Sequence, residues 1–241
     1  MMKTILLLAH PGHELRIFHW MERVRPVVCI LTNGSGGNQS SRTRYSRETL
    51  AAAGAEPGPV FCQMSDRDWY DAILARDAVP FRNVANVIFE TVKNEPLVTV
   101  VADAVDGYNP VHDLTSAVGE ALSARLTAAG ATVTHLVSAA IPGIAGDCKI
   151  EVVLDPAARE RKVAAIRAYT PLAEEARRIF EEAPESFGRE VLMRQEFDWP
   201  ERFEPQWETF AKERISTGRY ANLITYRDHV LPIARAILSL Q

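Results

Sequence analysis

Three short, unbroken apolar runs constrain the fold of this chain more than anything else in it: Ile5-Leu6-Leu7-Leu8, Val27-Val28-Cys29-Ile30-Leu31-Thr32 and Leu97-Val98-Thr99-Val100-Val101-Ala102. None is long enough to cross a membrane. None alternates apolar with polar, as a strand with one wet face does, so each is predicted to be a strand covered on both faces. The first stops at His10-Pro11, where proline removes a ladder donor and restricts the residue before it. Between the first two, residues 14–25 set Leu15, Phe18 and Met21 on one helical face. Strand, helix and strand within about thirty residues make a βαβ unit.

The alternation continues. Residues 42–54 read as a helix with a glycine C-cap, Glu56-Pro57-Gly58-Pro59 as a turn, Val60-Phe61-Cys62 as a short strand, and 80–92 as a helix. After the third long run a helix extends through Ala129, followed by the strand Val133-Thr134-His135-Leu136-Val137. Residues 159–182 read as a long charged helix that Pro171 kinks or splits. The remainder, to Gln241, carries Phe197, Trp199, Phe203, Trp207 and Phe210, shows no clear strand run, and is expected to use its aromatics for packing. No linker composition divides the chain. The expected architecture is α/β: a Rossmann-like, mostly parallel sheet with helices on both faces and a C-terminal helical and aromatic elaboration, residues 1–241 forming one domain. Residues 5–8, 27–31 and 97–102 are expected to be neighbouring parallel strands.

At 241 residues, 47% hydrophobic and 24% charged, with a net charge of -4, the chain has the composition of a globular protein that buries its own core. Its mild acidity and lack of a basic face argue against a nucleic-acid partner and leave a small-molecule one. The three cysteines, Cys29, Cys62 and Cys148, form no Cys-x-x-Cys pattern and are expected to be reduced, mostly buried thiols of a cytoplasmic protein. Cys148, behind Pro142-Gly143-Ile144-Ala145-Gly146, is expected to pack in a loop. Met1-Met2-Lys3 leads straight into a strand, so no secretory leader is expected, and no apolar stretch has the length of a membrane span. Nothing in the pattern opposes assembly into a homo-oligomer.

Ala9-His10-Pro11-Gly12-His13-Glu14 follows the first strand directly. Open α/β sheets hold their ligands beyond the C-terminal ends of strands, and here two imidazoles share one short turn. Another histidine follows the third long run, within Asp103-Ala104-Val105-Asp106-Gly107-Tyr108-Asn109-Pro110-Val111-His112-Asp113. His10, His13 and His112 are therefore candidates for three nitrogen ligands on one rim. That is the open coordination of catalytic zinc, which lowers the pKa of a bound water to about 7. The alternative is a pair of turns whose histidines cap the helices that follow. Asn33-Gly34-Ser35-Gly36-Gly37 lies on the same rim; its glycines do not form a dinucleotide fingerprint, and it is either a plain connection or a cradle for substrate.

These motifs together resemble the LmbE/PIG-L superfamily of zinc-dependent N-deacetylases. Ala-His-Pro-Gly-His-Glu at 9–14 is similar to the family's Ala-His-Pro-Asp-Asp-Glu, and Leu31-Thr32-Asn33-Gly34 to its second strand and loop. Arg44 and Glu48 resemble its Arg/Glu helix, and Asn109-Pro110-Val111-His112 its His-Pro-Asp-His. Residues 162–169 resemble its late Lys-containing helix, with Tyr169 where a His is usual. The resemblance implies that zinc or another divalent metal is held by His10 and His112, with His13 where the family has a metal-binding Asp. That exchange raises the net charge of the site by one. It also implies substrate contacts from Arg44, Asn33 and Gly34.

Two departures bear on the chemistry. Gly12 occupies the position of the family's catalytic Asp, and glycine accepts no proton. Asn109 stands where the family has a His; an amide donates to an oxyanion but shuttles no proton. Another carboxylate would have to act as base. Asp106 is the first candidate and Glu14 the second, with Asp103 better suited to hold a ligating His. Glu14 alternatively serves a helix N-terminus, Tyr108 either polarises a substrate carbonyl or packs on the rim, and Asp113 caps the helix that starts there. The expected function is a metal-dependent hydrolase removing an acetyl or other acyl group from an N-acylated amino sugar or glycoconjugate precursor. The alternatives are a non-catalytic carbohydrate-binding or scaffold relative, and an enzyme of different acyl chemistry, an esterase or acyl transferase.

Overall fold

The computed structural model describes residues 2–36, 40–141, 143–218 and 221–240; Gly37 of the glycine loop and Pro142 lie outside the described residues. Seven strands form one sheet in the order β3-β2-β1-β4-β5-β7-β6. They are β1 (Lys3–Leu8), β2 (Val27–Thr32), β3 (Glu56–Met64), β4 (Leu97–Asp103), β5 (Thr132–Ser138), β6 (Asp147–Val153) and β7 (Arg189–Arg194). The three long runs are neighbours as expected: β1 pairs in parallel with β2 (Leu7 opposite Cys29) and with β4 (Leu7 opposite Ala102). The chain winds from β1 through β2 to β3, then returns to add β4 and β5 on the other side. The crevice between β1 and β4 is thus the switch point where such sheets bind ligands.

Why the runs are continuous is plain from the two cores. Ile5 and Leu7 project to one face, among α3 (Asp66–Leu74), α4 (Val79–Val92), α5 (Pro110–Ala128) and α9 (Leu231–Leu238). Leu6 and Leu8 project to the other, with α1 (Phe18–Val24), α2 (Thr43–Ala53) and α6 (Pro156–Ala168). All four are at most 1% exposed. Burying each contributes about 1.5–3 kcal/mol, so neither face tolerates a polar residue.

Several local expectations give way to tertiary context. Glu56-Pro57-Gly58-Pro59 lies within β3, at the sheet edge, where proline's missing donor costs no ladder bond. Gly58 is needed there because a Cβ would stand 2.5 Å from Cys29 Sγ. The helix expected from residue 14 opens as a 3-10 turn, His13–Ile17, before α1. The charged helix is split at Thr170-Pro171 into α6, a 3-10 turn (Thr170–Leu172) and α7 (Ala173–Glu182). The C-terminal region does contain a strand: β7 pairs antiparallel with β5 and β6, and Cys148 on β6 is exposed instead of packed in a loop. Cys29 and Cys62 are buried. Phe197 stacks edge-to-face with Trp199 and Phe203, and Phe203 with Tyr226, against the core, while α8 (Gln206–Ser216) brings in Trp207; Phe210 stays exposed. No helix among the described residues is long and apolar enough to cross a membrane.

Candidate metal centre and active site

The first turn of the site begins where β1 runs out. Ala9 donates its N–H to Asp103 Oδ2 at 2.6 Å, tying the end of β1 to the end of β4. Gly12, at φ 108°, takes the left-handed conformation that lets the chain reverse into the 3-10 turn carrying His13. The second turn bends at Gly107, with φ 64°, and ends at Asn109, whose side-chain oxygen caps α5 by accepting from Val111 N–H. His112 then lies in the first turn of α5. Asn109, not Asp113, is the cap of that helix.

The structure brings His10, His13 and His112 together: one ring nitrogen of each lies within 4.8 Å of the others. Every one of the three rings also meets a buried carboxylate. His10 Nε2 is 3.2 Å from Asp66 Oδ1, His13 Nδ1 is 2.8 Å from Asp103 Oδ2, and His112 Nδ1 is 2.8 Å from Asp106 Oδ2. Burial pushes His10 and, further, His13 below the usual imidazole range, so both are neutral near pH 7. Burial works against ionisation of Asp66 and Asp103. The contacts from His10 and His13, with the charges of Arg42 and Arg16, outweigh it and hold both carboxyls below their ordinary range.

Ionised carboxylates only accept, so each imidazole must turn its N–H toward its carboxylate. These tautomers follow from the partners and decide what the third side of each ring presents. His10 Nδ1 and His112 Nε2 face each other at 3.1 Å, and with both rings neutral each presents a lone pair to the other. Two lone pairs at that distance repel unless a cation lies between them. Tetrahedral zinc with bonds of about 2.0–2.1 Å would hold its nitrogens roughly 3.3 Å apart, so the pair suits a metal without rearrangement. Carboxylate-backed histidines are the usual support of such ligands.

The other candidate residues are committed in different ways. The Asp106 side chain is wholly buried and has both oxygens engaged, Oδ2 with His112 and Oδ1 with Tyr108 N–H at 2.9 Å. Glu14 accepts from Gly12 N–H and from the Ser46 hydroxyl, itself 3.1 Å from Tyr169 Oη. Asn109 Nδ2 donates to Tyr70 Oη at 3.0 Å. Tyr108 is 49% exposed, its ring centred 6.4 Å from that of His112, which puts it at the rim. Asp113 accepts from the N–H groups of Asp106 and Gly107 and from the Trp207 indole; burial and the neighbouring Asp106 push its carboxyl up to about 7.

Asn33 Oδ1 accepts from Ser35 N–H, and Gly34, at φ 71°, gives its carbonyl to Arg42 Nε at 3.0 Å. A Cβ on Gly34 would meet that nitrogen at 2.4 Å. Arg44 instead pairs with Glu48 and lies over the Tyr45 ring, with its side chain 72% exposed.

Sequence reasoning missed Asp66, Arg16 and Arg42. Asp66 had a signal: Ser65-Asp66-Arg67-Asp68 forms a capping box that starts α3 at the strand end. Above Gly12, where the resemblance expects a carboxylate, a Cβ would stand 2.4 Å from Leu172 Cδ1. The space is taken by an apolar side chain.

No protein-family model matches the sequence. No curated protein sequence matches it either. Among solved structures, the chain is similar to a triple mutant of a deacetylase involved in teicoplanin biosynthesis, with 12% identity, a TM-score of 0.51, and coverage of 80% of this chain and 99% of that one. It is also similar to an antimicrobial pseudoaglycone deacetylase, with 13% identity, a TM-score of 0.50, and coverage of 80% of this chain and 96% of that one. At such identities what is shared is the fold, a mostly parallel sheet between two helical layers.

Proposed function

We propose that this protein is a zinc-dependent hydrolase of the LmbE/PIG-L type, removing an acetyl or other acyl group from an N-acylated amino sugar or glycoconjugate precursor. The observation that carries this reading is the convergence of one ring nitrogen from each of His10, His13 and His112, with a carboxylate behind every ring. The similarity in fold to two deacetylases is consistent with it. Zinc held by these three nitrogens would supply a Lewis acid for the acyl carbonyl and a more acidic water.

The rest of the work falls to the chain. Asp103 and Asp106 hold the His13 and His112 rings in the ligating tautomer, and their oxygens are used up in doing so. Asp66 differs: its Oδ2 is buried with no hydrogen-bond partner among the described residues. A free, buried carboxylate oxygen beside His10 is better suited to accept a proton than Asp106, which would have to release His112 first. In this reading Asp66 takes the part that Gly12 cannot play, the Asn33–Gly34 loop and Arg42 border the substrate, and the Tyr108 ring offers a face for a sugar to stack on.

A second reading is favoured by Leu172, which fills the space over Gly12: a carbohydrate-binding relative without turnover. The test is zinc stoichiometry followed by acetate release from N-acetyl and O-acetyl sugars. One zinc per chain with release from N-acetyl sugars is expected. Zinc without release from either class favours the binding protein, release from O-acetyl sugars alone an esterase, and no zinc removes the metal centre altogether.

A further inference from the structure

Arg16 sits three residues after His13 on the same 3-10 turn, where side chains at that spacing eclipse one another. Its guanidinium reaches across the rim and donates from Nη1 to Ala139 O at 3.3 Å, just beyond the end of β5. The residue is half-buried, yet among the described residues it forms no ion pair within 4.0 Å. It interacts with the charges of Asp103 and Asp106 from beyond that distance, and burial weakens its hold on its proton. Five N–H donors with one long bond among the described residues is poor use of a guanidinium in a place where desolvation is costly.

Its backbone, by contrast, is firmly anchored. Lys162 Nζ donates to Arg16 O at 2.5 Å and pairs with Glu190 at 2.9 Å, and Glu190 in turn accepts from the N–H groups of His19 and Trp20. A buried ion pair thus fixes the turn from which Arg16 projects, which is the arrangement expected of a residue that must meet a ligand in one orientation.

We infer that Arg16 grips an anionic group of the substrate, a carboxylate or phosphate on the molecule whose acyl amide lies at the three histidines. This rests on the hydrolase reading for the identity of that amide. The chemistry of the grip does not. A divalent ion leaves the three carboxylates one negative charge in excess, so an anion entering the crevice needs a cation such as Arg16 to meet it. A planar guanidinium with unused parallel N–H groups suits a bidentate hold on either oxyanion.

Calorimetric titrations distinguish the sources: uncharged N-acetylglucosamine, its 6-phosphate, and N-acetylmuramate as the carboxylate-bearing sugar, each with and without zinc. In the unsubstituted protein at least one anionic sugar should bind about tenfold or more tighter than the uncharged one, the size expected for a charge-assisted hydrogen bond. In Arg16→Gln that advantage should fall to less than about twofold, with Arg16→Lys intermediate and zinc content unchanged. Arg16→Lys keeps the charge and serves if the Gln variant folds poorly. Equal binding of the three sugars, no measurable binding of either anionic sugar, or a preference that survives in Arg16→Gln overturns the inference. So does a loss in Arg16→Gln that is as large for the uncharged sugar. Anion preference without acetate release would sink the hydrolase reading and leave Arg16 as an anion site.

Discussion

Two clusters of buried charge meet the same 3-10 turn, one through His13 and one through Arg16 O, and they are built on opposite principles. In the Lys162–Glu190 pair, both side chains at most 3% exposed, every charged atom has a partner: Glu190 holds the ammonium and two backbone N–H groups, and Lys162 also holds Arg16 O. In the histidine centre, each ring is backed by a carboxylate, but with the rings neutral the nitrogens that face one another have no proton to share. His10 Nδ1 opposes His112 Nε2, and Asp66 Oδ2 has no partner among the described residues. A buried ionic cluster that is fully hydrogen-bonded locks geometry. One that leaves its donors and acceptors aimed at a common point is incomplete without a ligand. Satisfaction, more than burial or charge, separates the two.

The comparison breaks first at the histidines. His112→Ala removes a nitrogen from the facing pair and should abolish stoichiometric zinc binding, measured by metal analysis after dialysis, while the chain stays folded. If zinc remains at one per chain, the centre is elsewhere. Next comes the pair of carboxylates that differ in how fully they are bonded. Asp66→Asn should lower turnover by about a hundredfold to ten-thousandfold even at saturating zinc, the range for loss of a general base. Asp106→Asn should instead weaken zinc by about ten- to a hundredfold, the cost of losing a histidine's supporting partner. Steady-state rates at saturating zinc separate the two, and the opposite ranking would return the base to Asp106.

The satisfied cluster should behave in the reverse manner. Glu190→Ala leaves Lys162 buried and unpaired and should cost about 3–5 kcal/mol in urea denaturation. The zinc stoichiometry of the molecules that remain folded should be unchanged. A variant of normal stability that loses zinc would show that the two clusters are not separable.

The smallest effect sharpens the rule at a third place. His135 on β5 lies under α5, where Gly119 leaves room for it, and its buried Nε2 has no partner among the described residues. Burial alone lowers its pKa from 6.5 to about 4. The unfolded chain then takes up a proton at this position before the folded one does, so stability declines as pH falls from about 6.5 toward 4 and levels off below. His135→Leu should flatten that part of the profile in thermal melts at graded pH. An unchanged slope would mean that the ring is not held neutral.

How much of this was legible beforehand varies by element. The strands β1, β2 and β4 could be read because a sheet covered on both faces demands unbroken apolar runs, and their parallel adjacency followed from the helices between them. The antiparallel β6 and β7 could not, since β6 is an exposed edge strand whose polar residues carry no pattern of burial. Pro57-Gly58-Pro59 reads as a turn by every local rule and is a strand only because β2 lies alongside it.

The candidate site divides in the same way. Its histidines stood out because imidazoles at the ends of buried strands are conspicuous from composition and position alone. Their partners did not, because an aspartate looks the same in sequence whether it caps a helix, supports a ligand or keeps one oxygen free. Asp66 is 56 positions from His10 and Asp103 is 90 from His13, separations across which no local propensity acts. By itself the sequence determined which segments must be buried and which three rings the sheet would carry to one rim, since hydrophobic periodicity and strand termination are local properties. Only the tertiary structure decided which carboxylate meets which ring, that Leu172 covers Gly12, and that Arg16 reaches Ala139 O while Arg44 lies at the surface. Those are questions of direction and distance between side chains, settled by packing after the chain has folded.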